Sequence, residues 1–201
     1  RIQWLDGTTQ THFLRAATPA ITLGDAIGGS TPILGYMRLG LEHILLGVDH
    51  LLFVLGLLLI VSRRWMLFKT ITSFTLAHSI TLAIATLGYA RAPLPPLNAA
   101  IALSILFLGP EVIRSRRGET GLTIRFPWVV AFAFGLLHGF GFASGLSTTG
   151  MPKAELPWAL LWFNVGVEMG QLTFVFVALA LGILISTLVQ TQLVALLASV
   201  M

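Results

Sequence analysis

The chain of 201 residues is 56% hydrophobic and only 10% charged, and its mean hydropathy of +0.89 places it among integral membrane proteins. It contains no cysteine, which excludes disulfides, iron–sulfur clusters and thiolate metal sites and leaves nitrogen and oxygen as the donors for any metal. The net charge of +4 sits at the ends of apolar runs, where membrane topology accounts for it, so nucleic acid is not an expected partner.

Arg1 to Pro32 is the long polar stretch, with turn chemistry in Asp6-Gly7-Thr8-Thr9 and in Gly28-Gly29-Ser30-Thr31-Pro32 around short, weakly alternating segments. This pattern predicts the tail of an extramembrane domain plus a linker over residues 1–32, ahead of a transmembrane helical domain over 33–201. His12 falls in the first part and reads as an ordinary exposed histidine. Because the chain starts at Arg1 and shows no signal-peptide pattern before its first apolar run, it is expected to be a processed product or a piece of something longer.

Span one is expected from Ile33 or Tyr36 to Val61, ending at Ser62-Arg63-Arg64. Span two runs from Phe68 to Ala90, ahead of Pro93, Pro95 and Pro96, which cannot continue a helix. Span three, Leu97 to Ile113, is expected to break late at Gly109-Pro110 and leads into a basic loop with Arg114, Arg116, Arg117 and Arg125. Span four covers Pro127 to Leu146, and span five Trp158 to Ile185. Gln190-Thr191-Gln192 then predicts a turn, and Leu193 to Met201 the start of a sixth helix, since it is shorter than the roughly 20 residues a span requires. These runs are too long and too uniformly apolar for barrel strands. The fold class is therefore all-α, a polytopic transmembrane helical bundle with five full spans and the start of a sixth. The loops after spans one and three hold Arg63, Arg64, Lys69 and the four arginines just named, against Arg91 and Lys153 in the opposite loops. The positive-inside rule then puts the first group in the cytoplasm and the N-terminal segment outside, with Trp65, Trp128 and Trp158 as interfacial anchors.

Four of the five histidines stand inside apolar runs. In span one, His43, Gly47 and His50 fall at i, i+4 and i+7, which on one helix turns both imidazoles the same way across a gap, with Glu42 and Asp49 beside them. A carboxylate at the centre of a bilayer costs about 2.5–3.5 kcal/mol and is tolerated mainly where it faces a bundle interior with a partner. Asp49 therefore calls for a cation, a proton or a donor. Counted from the span starts, His50, His78 in span two, His138 in span four and Glu168 in span five all lie near mid-membrane, while His43 and Glu42 lie nearer the outside, like the mouth of a path. Ser79 and Thr75 share a face with His78, and Asn164, Glu168 and Gln171 form a polar stripe on span five. The glycines around His138 allow close helix approach and a local break in span four. Plainer readings stand beside these: Ser104, Thr75 and Gln171 as interhelical hydrogen-bonding residues, Gly139 and Gly141 as packing glycines, and Glu42 as a carboxylate reaching the interface. For His50, His78, His138, Asp49 and Glu168 together, packing alone does not account for so many costly groups at one depth, and a functional site is expected. Imidazoles with carboxylates and no thiolate suit Zn²⁺, Ni²⁺, Co²⁺ or Fe²⁺. The carboxylates would balance the charge of a divalent ion or orient an imidazole behind it.

Four segments, His43-x3-Gly47-x-Asp49-His50-Leu-Leu-Phe, Phe74-Thr-Leu-Ala-His78-Ser79-Ile-Thr-Leu, Phe134-Gly-Leu-Leu-His138-Gly-Phe-Gly-Phe-Ala and Phe163-Asn164-x-Gly-x-Glu168-x-Gly-Gln171, occur in order. Together they resemble the successive signatures of the HupE/UreJ family of membrane proteins, from Tyr36 to the end of span five. The resemblance implies a nickel or cobalt permease associated with hydrogenase and urease, and an extracytoplasmic domain ahead of the membrane part, of which Arg1 to Pro32 would be the tail. One departure concerns the metal: the nickel signature has His-Pro before Gly-x-Asp-His, whereas Ile44 follows His43 here.

Two functions fit these residues. In the first, an integral membrane divalent metal-ion permease, expected in the bacterial inner membrane, takes Ni²⁺, Co²⁺ or Zn²⁺ from outside past Glu42 and His43. The ion is held by Asp49, His50, His78, His138 and Glu168, with Ser79, Asn164 and Gln171 in support, and is released inward by rearrangement of spans four and five. In the second, an intramembrane hydrolase uses the same site with a His-held Zn²⁺ and Glu168 or Asp49 as general base. The lipid bilayer and the metal are the expected partners, with a homo-oligomer left open.

Overall fold

The computed structural model describes residues 2–3, 9–10, 32–147 and 156–200, and side chains for 33–141 and 156–192. Apart from a short antiparallel pair, β1 (Ile2–Gln3) with β2 (Thr9–Gln10), in which Ile2 faces Gln10, these residues are helical. The helices are α1 (Pro32–Leu46), α2 (Val48–Ile60), α3 (Arg64–Thr86), α4 (Leu94–Arg116), α5 (Leu122–Arg125), α6 (Pro127–Ser147) and α7 (Leu156–Val200). Among the described residues α3, α4 and α7 are long and apolar enough to cross a membrane, and the bent pair α1–α2 makes a fourth candidate. His12 and Lys153 lie outside the described residues.

The expected spans are corrected in several places. Span one is not one helix: it bends by 72° at Gly47, whose φ of −81° and ψ of 91° are extended. Span two begins at Arg64 and stops earlier than its prolines require, because Gly88 adopts φ +83°. There the Tyr89 amide donates to the Ile84 carbonyl (3.0 Å) and the Gly88 amide to that of Ala85 (3.1 Å), a left-handed glycine stop that satisfies the last carbonyls. Gly118 ends α4 the same way, with Glu119 donating to Arg114 at 2.9 Å. Pro110 does not break span three, which runs on to Arg116. Leu106, Gly109 and Pro110 are all on the exposed face, where the ladder can open without disturbing the packed side. Nor does α7 turn at Gln190-Thr191-Gln192; it continues as one helix of 45 residues, so the sixth helix has no separate start. No glycine or proline interrupts that segment, glutamine is a good helix former, and the Thr191 hydroxyl bonds back to the Leu188 carbonyl at 2.9 Å.

Glycines set the helix crossings. On α6, a Cβ at Gly135 would strike the Phe74 carbonyl of α3, and one at Gly139 the backbone of His78 and Leu82, so α3 and α6 touch main chain to main chain. The glycines serve close approach here, and the local break they would allow does not occur: α6 is continuous through His138. Gly40 of α1 sits on the Phe163 carbonyl of α7 and Gly166 of α7 on the Met37 carbonyl of α1. Below these crossings, Phe53, Leu57, Ile60, Phe74, Leu108 and Ala131 form a buried core that joins α2, α3, α4 and α6.

Gly166→Ala is therefore expected to destabilise the bundle by about 1–3 kcal/mol through overpacking. Gly182→Ala, where an added Cβ meets nothing within 4 Å, should be neutral or gain up to about 1 kcal/mol. Reversible unfolding in mixed micelles measures both, and equal stabilities would show that the α1–α7 crossing does not depend on its glycine.

Candidate metal centre

The break at Gly47 builds the centre. His43 occupies the last turn of α1 and His50 the first turn of α2, and the bend folds the two rings together with centroids 4.8 Å apart. A Cβ at Gly47 would lie 2.8 Å from both the His43 carbonyl and His50 Nδ1, so a side chain at the break would displace the His50 ring. His78 of α3 approaches His43 to 5.9 Å and His50 to 6.0 Å between ring centroids. His43, His50 and His78 each offer a nitrogen, and these nitrogens lie within 4.8 Å of one another. Donors around one tetrahedral ion held at 2.0–2.1 Å are about 3.3 Å apart, so small rotamer shifts suffice. His138 of α6 stands 4.9 Å from His50 between centroids.

Hydrogen bonds assign the protons on two rings. The Ser104 hydroxyl donates to the Ile101 carbonyl at 2.6 Å, so it can only accept from His138 Nε2, 3.1 Å away. His138 is then protonated on Nε2, and its Nδ1 lone pair is buried without a hydrogen-bond partner among the described residues. Asn164 donates its amide to the Leu160 carbonyl at 2.8 Å, which turns its oxygen to His78 Nδ1 at 3.4 Å and leaves the Nε2 lone pair of His78 unpartnered. Neither ring nitrogen of His50 has a partner among the described residues. Unpaired buried nitrogens are costly and uncommon. The nitrogens of His43, His50 and His78 come together and His138 stands outside that group, while the rings of His78 and His138 are held from behind in the way that orients metal-binding histidines. Phe53 and Phe74 pack on His138 at 5.4 and 5.2 Å, and Phe163 on His43 at 5.5 Å, walling the rings off with hydrocarbon.

The carboxylates lie elsewhere. Asp49 is exposed in the first turn of α2, where the helix N-terminus favours negative charge by about 0.3–1 kcal/mol. It lies about 100° around the helix from His50. Glu168 is half-buried and accepts a hydrogen bond from Thr72 at 2.6 Å. Glu42 pairs with Arg38 at 2.8 Å. Gln171 accepts from Thr75 at 2.9 Å, and Ser79 bonds the Thr75 carbonyl of its own helix at 2.7 Å. The group contains none of these. His43, expected at the mouth, is a member of it. The signal for His43 was present in the sequence, as a glycine flanked by histidines, but read as one helix the spacing concealed the bend. Ser104, read as an interhelical hydrogen-bonding residue, is one: its partner is His138 of α6.

The family model described as HupE / UreJ protein matches residues 22–201. The chain belongs to the HupE/UreJ family. A comparison with curated proteins and one with solved structures find no match.

The proton assignments are open to ¹⁵N NMR of the imidazoles in the metal-free protein. His138 should give the signature of the Nε2-protonated tautomer, and Ser104→Ala should convert it to a mixture while His78 is unchanged. A His138 spectrum indifferent to Ser104→Ala would remove the hydroxyl from the centre.

Proposed function

We propose that this HupE/UreJ protein is a permease for a divalent transition-metal ion, with Ni²⁺, Co²⁺ or Zn²⁺ as cargo and His43, His50, His78 and His138 as the intramembrane holding site. The observation that carries the reading is the meeting of His43, His50 and His78 nitrogens within 4.8 Å of one another at a broken membrane helix, with nitrogens of His50 and His78 buried and lacking a hydrogen-bond partner among the described residues. Discontinuous helices are tolerated at membrane depth where they line a cavity or an ion site.

Neutral imidazoles bind these ions well, and no carboxylate belongs to the group. A hydrolase would need a general base within hydrogen-bond reach of a metal-bound water, and neither Asp49 nor Glu168 belongs to the three-histidine group. Orientation in a bacterial inner membrane follows from the basic loops. Ser62 and Arg116, which flank the first and second of these loops, line one cavity, and Lys69 lies 4.4 Å over the Trp128 ring, so the basic residues gather at one end of the bundle, assigned to the cytoplasm. The N-terminal segment is then outside.

Added Ni²⁺, Co²⁺ or Zn²⁺ should raise the melting temperature of the purified protein by linkage. His50→Ala and His78→Ala should abolish that rise and the uptake by reconstituted vesicles, and Gly47→Ala should weaken both by displacing His50. Asp49→Asn should retain most of the rise; losing as much as His50→Ala would mean that the carboxylate reaches the ion. One ion retained per chain with no flux into vesicles would overturn the permease reading in favour of the enzyme.

A further inference from the structure

At the basic end of the bundle, between α2, the end of α4 and the distal part of α7, lies a cavity of about 610 Å³ unrelated to the histidine centre. Its lining is mixed, with Leu58 and Leu59 from α2 and Ile183 from α7 beside Ser62, Ser115 and Arg116. Leu59 and Ile183 are exposed on helices read as membrane-spanning, so that part of the lining faces acyl chains and not water. Exposed Trp65 lies just beyond Ser62 in sequence, and such residues mark headgroup level.

Charge decides the occupant. Arg114 is paired with Glu111 at 2.7 Å, and Arg117 approaches Glu119 at 4.0 Å. Between them Arg116 has no ion pair among the described residues and lines the rim beside two hydroxyls. A guanidinium with hydroxyl donors suits a phosphate and repels a metal cation. The leucine wall has no purpose for a free anion. We infer that this cavity binds one anionic glycerophospholipid of the cytoplasmic leaflet, its phosphate on Arg116, Ser62 and Ser115 and its acyl chain along Leu58, Leu59 and Ile183. Basic pockets between membrane helices on that side are suited to such headgroups. The inference depends on the membrane reading and is independent of the metal.

The test is native mass spectrometry of the full chain exchanged into an equimolar mixture of phosphatidylglycerol and phosphatidylcholine. The parent should retain one phosphatidylglycerol in preference. Arg116→Gln should weaken phosphatidylglycerol about five-fold, the effect of one basic side chain near an anionic surface, and so remove the preference. Gly182→Leu, which adds bulk to the cavity lining at a position where an added Cβ meets nothing within 4 Å, should exclude both lipids; it also removes a helix glycine, so folding is not at risk. Arg91→Gln, at the opposite end, should behave as the parent. Parental retention by Arg116→Gln and Gly182→Leu, or equal loss in Arg91→Gln, would overturn the site. Full competition by inorganic phosphate would make it an anion site and overturn the lipid.

Discussion

The break in the first membrane segment is the constraint on which the rest depends. Were residues 32–60 one straight helix, His43 and His50 would stand about 10 Å apart along its axis at 1.5 Å per residue, on a shared face but not in contact. The 72° bend closes that distance to ring contact at small backbone cost. The Gly47 amide still reaches the His43 carbonyl at 3.0 Å, and Leu51 resumes the ladder on the Gly47 carbonyl at 3.1 Å. Glycine is required less for its dihedral angles, which any residue can adopt, than for the space the His50 ring takes.

Around that bend the bundle is assembled by backbone contact. α3 and α6 meet at Gly135 and Gly139, and α1 and α7 at Gly40 and Gly166. In a bilayer, where burying leucine against leucine gains little over leucine against lipid, such close approach supplies the dispersion contacts that hold helices together. It also fixes the depth of His78 and His138 relative to each other, since each lies within one turn of a glycine crossing. The phenylalanines beneath the rings complete the enclosure on the side of the basic loops, so the arrangement described is one in which the histidines are closed from that end.

The separation of imidazoles from carboxylates bears on chemistry. Asp49, adjacent to His50 in sequence, serves the N-terminus of α2 and is exposed, and Glu168 is engaged by Thr72. What stands behind the imidazoles is neutral: Ser104 behind His138 and Asn164 behind His78. Such partners orient a ring without adding charge.

Much of this was legible in the residues. Composition fixed a helical membrane protein, the motif series pointed to the family, and the polar residues in apolar runs nominated His50, His78 and His138, because an ionisable group in hydrocarbon is too costly to be incidental. Asn164 was picked out as support by its spacing on one helix. The bend, the membership of His43 and the exposure of Asp49 were not legible, because heptad-like spacing assumes the very helix that Gly47 interrupts. The continuity of α4 through Pro110 also escaped, since a breaker is tolerated where the opened side faces away from the packing, and so did that of α7 through Gln190 to Gln192, where polar residues without glycine or proline do not stop a helix. Ser104 was legible as an interhelical hydrogen-bonding residue, but its partner, 34 positions away, was not. Sequence determines which groups must be hidden from lipid; only the packed helices decide which of them meet.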